Sequence, residues 1–216
     1  MLANNPPKSK LSNARTLSAN RSSWKSLFLY QKPQKKTNNM RIITGKYKGT
    51  QLFTVAGKTT RPTTDFQREV IFSMYQDYSG LKVLDLFAGT GSLGLETLSR
   101  GAVWVDFVEF AQVALTVLLK NIEKLNCGAN CHVHRRKAGA FLSSTDGKWD
   151  VIFLDPPYNK DLVNPALQLI FNRELLLPEG IIIAEHHPLE TINPEFQSRI
   201  IAHKQNSRVT AFTIFR

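Results

Sequence analysis

An open α/β sheet, mostly parallel, with seven strands and helices on both faces, is the fold class that the sequence predicts. Three observations predict it. From Leu81 onward, short apolar runs alternate with helical patterns at the spacing of strand–helix units. The first run leads into a glycine-rich turn, "DLFAGTGSLG", Asp85–Gly94. The last two runs have no helix between them, so they are expected to pair antiparallel at one edge.

The elements follow in order. After Met40, "RIITGKYKGTQLFT" reads as short strands turning at Gly45 and Gly49. In "RPTTDFQREVIFSMYQDY" a Thr or Asp precedes the apolar set Val70, Phe72 and Met74, with Pro62 just upstream. That is a helix start, and Gly80 closes the helix. "KVLDLFA" is then a buried strand and "GSLGLETLSRG" a helix ending at Gly101. "VWVDFVE" is a strand, followed by the helix "AQVALTVLLKNIEKLN" with Gly128 past its end. "CHVHR" is a short strand, "AGAFLSS" a short helix, "WDVIFLD" a strand, "LVNPALQLIF" a helix and "GIIIAEH" a strand. The late strands lie near "RIIAHK" and "RVTAFTIF". No internal repeat is present, and no apolar run approaches the roughly 20 residues that span a bilayer.

The net charge of +11 is unevenly distributed. Residues 1–39 carry Lys8, Lys10, Arg15, Arg21, Lys25, Lys32, Lys35 and Lys36 and no acid, leaving +3 for the rest. This tail is rich in Ser, Asn, Lys and Pro, a composition expected to be disordered. It reads as a nucleic-acid-binding arm, as a transit peptide, or as an upstream extension of a protein starting at Met40. It lacks the apolar stretch of a secretory signal. Residues 40–80 form an N-terminal hairpin and helix, and 81–216 the α/β domain. Two cysteines make no disulfide framework, and a reducing compartment fits.

The glycine turn is where an open α/β sheet binds its ligand. Gly89, Gly91 and Gly94 make a G-x-G-x-x-G run, which also marks dinucleotide sites. Asp85 discriminates. Its carboxylate repels a pyrophosphate but attracts a cation or amino group. S-adenosylmethionine has a sulfonium, an α-ammonium and no phosphate. Glu109 ends the second strand, where an acid accepts ribose hydroxyls in either kind of site. Thr90 and Ser92 either contact the ligand or cap the following helix.

"DPPY", Asp155–Tyr158, follows the apolar run "VIFL" and so sits on the same sheet edge. The prolines remove backbone donors and stiffen the turn. The Asp155 carboxylate and Pro156 carbonyl can accept hydrogen bonds from an exocyclic amino group, and Tyr158 can stack on its base.

Together "RIITGKYKG", "RPTTD", "VLDLFAGTGSLGLETLSRGA", "FVE" and "DVIFLDPPY" resemble the RsmD-type 16S ribosomal RNA guanine-N2 methyltransferases, from about Met40 to the C-terminus. The resemblance implies a Rossmann-like class I methyltransferase fold with S-adenosylmethionine as donor. It implies a guanine N2 in the small ribosomal subunit as acceptor, and a monomeric, cytoplasmic bacterial protein (organellar if the tail is a transit peptide). By motif position, Asp85, Phe87, Gly89, Gly91 and Glu109 bind the cofactor. Asp155, Pro156 and Tyr158 form the methylation site. Arg61, Thr63 and Thr64 lie at its mouth near cofactor or RNA. Two positions depart from the family. Lys137 stands where Asp or Asn often meets the adenine amino group, and Lys cannot accept that bond. The backbone of Lys137 and Ala138 is then expected to make it. Phe66 stands where a basic residue is common.

Other readings are an adenine-N6 methyltransferase, an NAD-dependent oxidoreductase, and a non-catalytic RNA-binding factor. "CGANCHVH" invites a metal reading, but His132 and His134 share one strand face while Cys131 points away with Val133. The histidines are expected to face solvent, Cys131 is expected to be buried, and no metal is expected. "EHH", Glu185–His187, ends the fifth strand, either near RNA or as a plain strand end, and "HRRK" is a basic surface stretch.

A chain beginning at Met40 is expected to keep its melting temperature and cofactor affinity while losing salt-sensitive, non-specific RNA binding. An unfolded product would show the tail to be part of the domain.

Overall fold

A computed structural model describes residues 40–55, 65–157 and 160–216. The basic tail, Arg61, Thr63 and Thr64, and Tyr158 lie outside the described residues. Among the described residues seven strands form one sheet: β1 Lys82–Asp85, β2 Trp104–Val108, β3 Cys131–His134, β4 Trp149–Leu154, β5 Leu176–His186, β6 Ile200–Gln205 and β7 Ala211–Phe215. Their order is β3-β2-β1-β4-β5-β7-β6. The first five run parallel, and β7 lies antiparallel between β5 and β6, as the missing helix between the late strands predicts. The chain winds from β1 out to β3, then crosses back to β4. The direction of winding therefore reverses between β1 and β4, and ligands of open α/β sheets bind at that point.

Side chains alternate across the strands, so each face has its own core. Val83, Val105, Phe107, Val151, Phe153, Ile181 and Ile183 meet the helices α1 (Asp65–Met74), α2 (Ser92–Ser99) and α3 (Gln112–Leu125). Leu84, Val108, Ile152, Leu154, Ile182 and Ala184 meet α4 (Ala138–Leu142) and α5 (Val163–Asn172) on the opposite face. Gly94 sits where α2 crosses β2. A Cβ there would lie 2.3 Å from the Phe107 ring, so glycine sets how closely helix and sheet approach.

The structure departs from the sequence pattern at three places. The N-terminal strands reduce to a single bridge, Arg41 to Gln51, with most of the segment held by turns. Strand β5 begins at Leu176, earlier than expected, and its pairing with β4 slips between Trp149 and Val151. Pro178, Glu179 and Gly180 break the apolar run there and conceal the strand. Helix α1 ends at Met74, six residues before the Gly80 expected to close it, and the chain turns first at Asp77, whose carboxylate accepts the Ser79 N–H.

Segment 40–53 is held to the domain by side chains of α2 and α3. Glu96 is fully buried, and its carboxylate accepts the Ile43 and Thr44 N–H groups at 2.7 and 3.0 Å. It also accepts Arg100 Nε at 2.9 Å and faces the buried Arg68 guanidinium at 3.9 Å. Arg68 in turn donates to the Arg41 carbonyl, and Arg100 stacks over Phe72. Asn121 on α3 closes the other end. It exchanges bonds with the Phe53 N–H and C=O and donates to the Thr90 carbonyl in the glycine turn. Removing one partner from a buried ionic group leaves uncompensated charge. Glu96→Ala should therefore cost about 3–5 kcal/mol in urea unfolding. A loss below about 1 kcal/mol, the scale of exposed pairs, would show that the network carries no such burden.

Candidate functional site

Strand β1 ends in Asp85, and the turn to α2 is built on positive-φ glycines, Gly89 at 55° and Gly91 at 87°. Gly91 is the N-cap of α2; neither Thr90 nor Ser92 supplies a side-chain cap. Beside Gly89 nothing lies closer than 4.0 Å to a built Cβ, so backbone is open to a ligand there.

Asp85 is 1% exposed and accepts the Gly94 N–H at 3.0 Å. The carboxylate expected to face the ligand is thus held against the glycine turn. It occupies the α2 N-terminus, where a bound phosphate would otherwise take the free N–H groups. Burial pushes its carboxyl up to about 7, against the pull of the Gly94 N–H, and the charges of Asp155 and Glu109 push the same way. Glu109, one residue past β2, accepts three backbone N–H groups: Gly89 at 2.8 Å, Phe110 at 2.7 Å and Ala111 at 2.6 Å. It ties the glycine turn to the start of α3. A carboxylate offers about four acceptor sites, so two ribose hydroxyls would have to share or displace one of these bonds.

Asp155 follows β4 directly, across the reversal point from β1. The Leu86 N–H donates to the Phe153 carbonyl, which carries the β1–β4 ladder up to both functional turns. Pro156 is buried and Pro157 exposed. Asp85, Glu109, Asp155 and the glycines therefore converge on one edge.

Phe87 and Ala138 pack against the α4–α5 core beside Glu109. Lys137 is exposed at the N-cap of α4, and its Nζ lies 5.3 Å from the centre of the Phe110 ring. Phe110 is a residue that the sequence reading missed. It is 57% exposed next to Glu109. The signal was present in "VEF", an aromatic residue directly after a strand-ending acid.

The decoys resolve into ordinary contacts. Cys127 and Cys131 are buried, and their thiols donate to the Ile122 and Cys127 carbonyls. His132 is exposed as expected, but His134 turns to the Asp106 carboxylate at 2.7 Å. Among the described residues no group of three or more His, Cys, Asp or Glu could hold a metal ion. None of the helices there is long and apolar enough to cross a membrane.

The chain is similar to known proteins. A family described as Conserved hypothetical protein 95 matches residues 40–216. The chain is similar to the "Ribosomal RNA small subunit methyltransferase D" of Haemophilus influenzae, at 35% identity over 68% of this chain and 78% of the relative. It is similar to the protein of the same name in Escherichia coli strain K12, at 33% identity over 69% and 75%. Among solved structures it is similar to "Putative methyltransferase yhhF from Escherichia coli", with a TM-score of 0.72 and 31% identity, covering 82% of this chain and 98% of the other.

A buried carboxyl raised above its unfolded value of 3.8 binds a proton on folding. Its contribution to stability is full below about pH 4 and is lost as pH rises through about 7. Asp85→Asn cannot ionise. Between about pH 4 and 7, wild-type stability should therefore fall relative to the variant in urea titrations at each pH, and level off above. A gap that stays constant across that range would show that Asp85 does not titrate there.

Proposed function

The chain belongs to the RsmD family of ribosomal RNA small-subunit methyltransferases, and from that premise we propose that it methylates the exocyclic N2 amino group of a guanine in 16S ribosomal RNA, with S-adenosylmethionine as donor. That it is a methyltransferase of ribosomal RNA follows from the family. The cofactor, the base and the residue roles are our reading.

One observation carries it. Across the reversal point, Asp85 on β1 pairs with Phe153 on β4, two residues before Asp155, so strand alternation puts both acids on one face at adjacent strand ends. The two acids therefore flank one small space at the strand ends. The residues suit S-adenosylmethionine in three ways. Asp85 takes the Gly94 N–H in the first turn of α2 and sets a carboxylate there, which disfavours a pyrophosphate. Asp85 and Glu109 attract a sulfonium and an ammonium. The open side of Gly89 admits close approach. Asp85, Phe87, Gly89, Gly91 and Glu109 would hold the cofactor, with the Lys137–Ala138 backbone and Phe110 at its adenine end. When bound, S-adenosylmethionine supplies a methyl group made electrophilic by its sulfonium.

The protein's part is positioning. An amino group conjugated to a purine is a weak nucleophile because its lone pair is delocalised into the ring. Asp155 and the Pro156 carbonyl accept its two hydrogens and turn the lone pair toward the methyl donor. Asp155 need not remove a proton before transfer; the proton that the methylated, cationic amino group sheds afterwards passes to Asp155 or to solvent. Orientation of this kind supplies about 7–11 kcal/mol in the best intramolecular cases. Tyr158 would stack on the base, and Arg61, Thr63 and Thr64 would meet RNA at the mouth.

The test is tritiated-methyl transfer to small ribosomal subunits lacking the modification. Asp155→Ala and Asp155→Asn should each lower kcat about 10²-fold or more. Cofactor affinity by calorimetry should hold in both. Asp85→Ala should instead weaken cofactor binding by about 1–3 kcal/mol. Near-normal turnover by Asp155→Ala would remove this turn as the catalytic centre.

A further inference from the structure

We propose that Glu185 reads the target base: it accepts the guanine N1–H beside the amino group that Asp155 holds, and so selects guanine over bases with a bare ring nitrogen there. The inference rests on the guanine-N2 reading above and adds the residue that makes it selective.

The register sets the geometry. Leu154 on β4 pairs with Ala184 on β5, so the next residues, Asp155 and Glu185, lie side by side on parallel neighbours. Neighbouring strands are about 4.8 Å apart. Ile181 and Ile183 point to the same face as Val151 and Phe153. Alternation carries Glu185 and Asp155 to that face too, the one that also holds Asp85. Glu185 is 4% exposed. Gln67 on α1 donates from Nε2 to its Oε1 at 3.5 Å and to the Thr210 hydroxyl at 3.2 Å, so the amide is held between α1 and the start of β7. The Gln67 amide thereby helps to orient the carboxylate.

The chemistry follows from the edge of the base. Guanine presents two adjacent donors, N1–H and the N2 amino group. An acceptor at Asp155 satisfies the amino group alone, and adenine offers an amino group as well. Beside the adenine amino group lies N1, a lone pair. A carboxylate next to Asp155 attracts N1–H and repels that lone pair. In a site closed to water such a contrast is large, because the wrong base leaves a buried acceptor facing an acceptor. Two neighbouring acids thus read two neighbouring donors, as edge recognition of unstacked RNA bases requires.

The experiment compares guanine with 2-aminopurine at the methylated position of reconstituted small subunits, using wild-type protein and Glu185→Gln. 2-Aminopurine keeps the amino group but has a bare N1. Its missing O6 is common to both proteins and cancels in the comparison. Wild type should prefer guanine in kcat/KM by roughly 10²-fold or more. In Glu185→Gln the amide can turn to donate to N1, so the preference should shrink at least about tenfold. Because the ratio is measured on one preparation, it is independent of the fraction folded. A purely structural role for Glu185 would lower both rates by one factor. Equal losses on both bases, total inactivity included, would therefore overturn the assignment. A wild-type protein that methylates neither base would overturn the guanine-N2 reading and this assignment with it. A wild-type protein active on guanine, with selectivity untouched by the substitution, would overturn this assignment alone.

Discussion

Parallel pairing of β1 with both β2 and β4 is the constraint on which the site depends. It brings the ends of three strands together and with them three acids: Asp85, Glu109 and Asp155. Like charges so close oppose one another, and the Asp85 carboxyl registers that opposition. The fold meets it with backbone donors. Gly94 serves Asp85, and Gly89, Phe110 and Ala111 serve Glu109. The glycine turn is therefore shaped by the acids it carries as much as by its glycines. Its N–H groups are aimed at carboxylates before any ligand arrives.

A second buried acid does different work. Glu96 lies on the helix that the glycine turn starts, and it collects the Ile43 and Thr44 N–H groups with two arginines. Segment 40–53 has almost no strand pairing of its own, so α2 supplies the partners that its backbone would otherwise lack. Asn121 repeats this at Phe53 and reaches the Thr90 carbonyl as well. The segment and the glycine turn are thereby coupled through one amide on α3.

The sheet was legible in the sequence because its signal is local. Runs such as "VIFL" and "GIII" are buried on both faces and read as strands without knowledge of their neighbours. The glycines and "DPPY" were legible for the same reason. What escaped notice depends on contacts distant in sequence. Glu96 in "GLETL" looks like a polar residue on a helix, and only packing shows it fully buried among Arg68 and Arg100. Asp85 was read as facing the ligand, but its burial and its bond from the Gly94 N–H, nine residues on, were not legible in the sequence. Strand β5 was read four residues short because Pro178 and Gly180 mimic a turn. A Cβ at Gly180 would lie 2.8 Å from the Leu177 carbonyl oxygen, so the bend there needs glycine.

An acid-lined edge is at first sight a poor partner for RNA. The conflict dissolves once depth is considered. Asp85 and Glu185 are buried, Asp155 and Glu109 are half-buried, and Glu109 already accepts three backbone N–H groups. Their fields act strongly at contact range, on a cationic donor or the N–H groups of a base. Beyond roughly 8 Å of salt water they are largely screened. Exposed basic side chains lie next to the edge: Arg135, Arg136 and Lys137 after β3, and Lys160, followed by the exposed Asp161, after the Asp155 turn. Phosphates approaching from outside meet these bases first. Under the proposed reading the two layers divide the task, with surface cations attracting the backbone of the RNA and buried acids reading the one base that leaves it. Neutralising the buried layer would then change chemistry and selectivity with little effect on the salt dependence of RNA binding, and neutralising the surface layer would do the reverse.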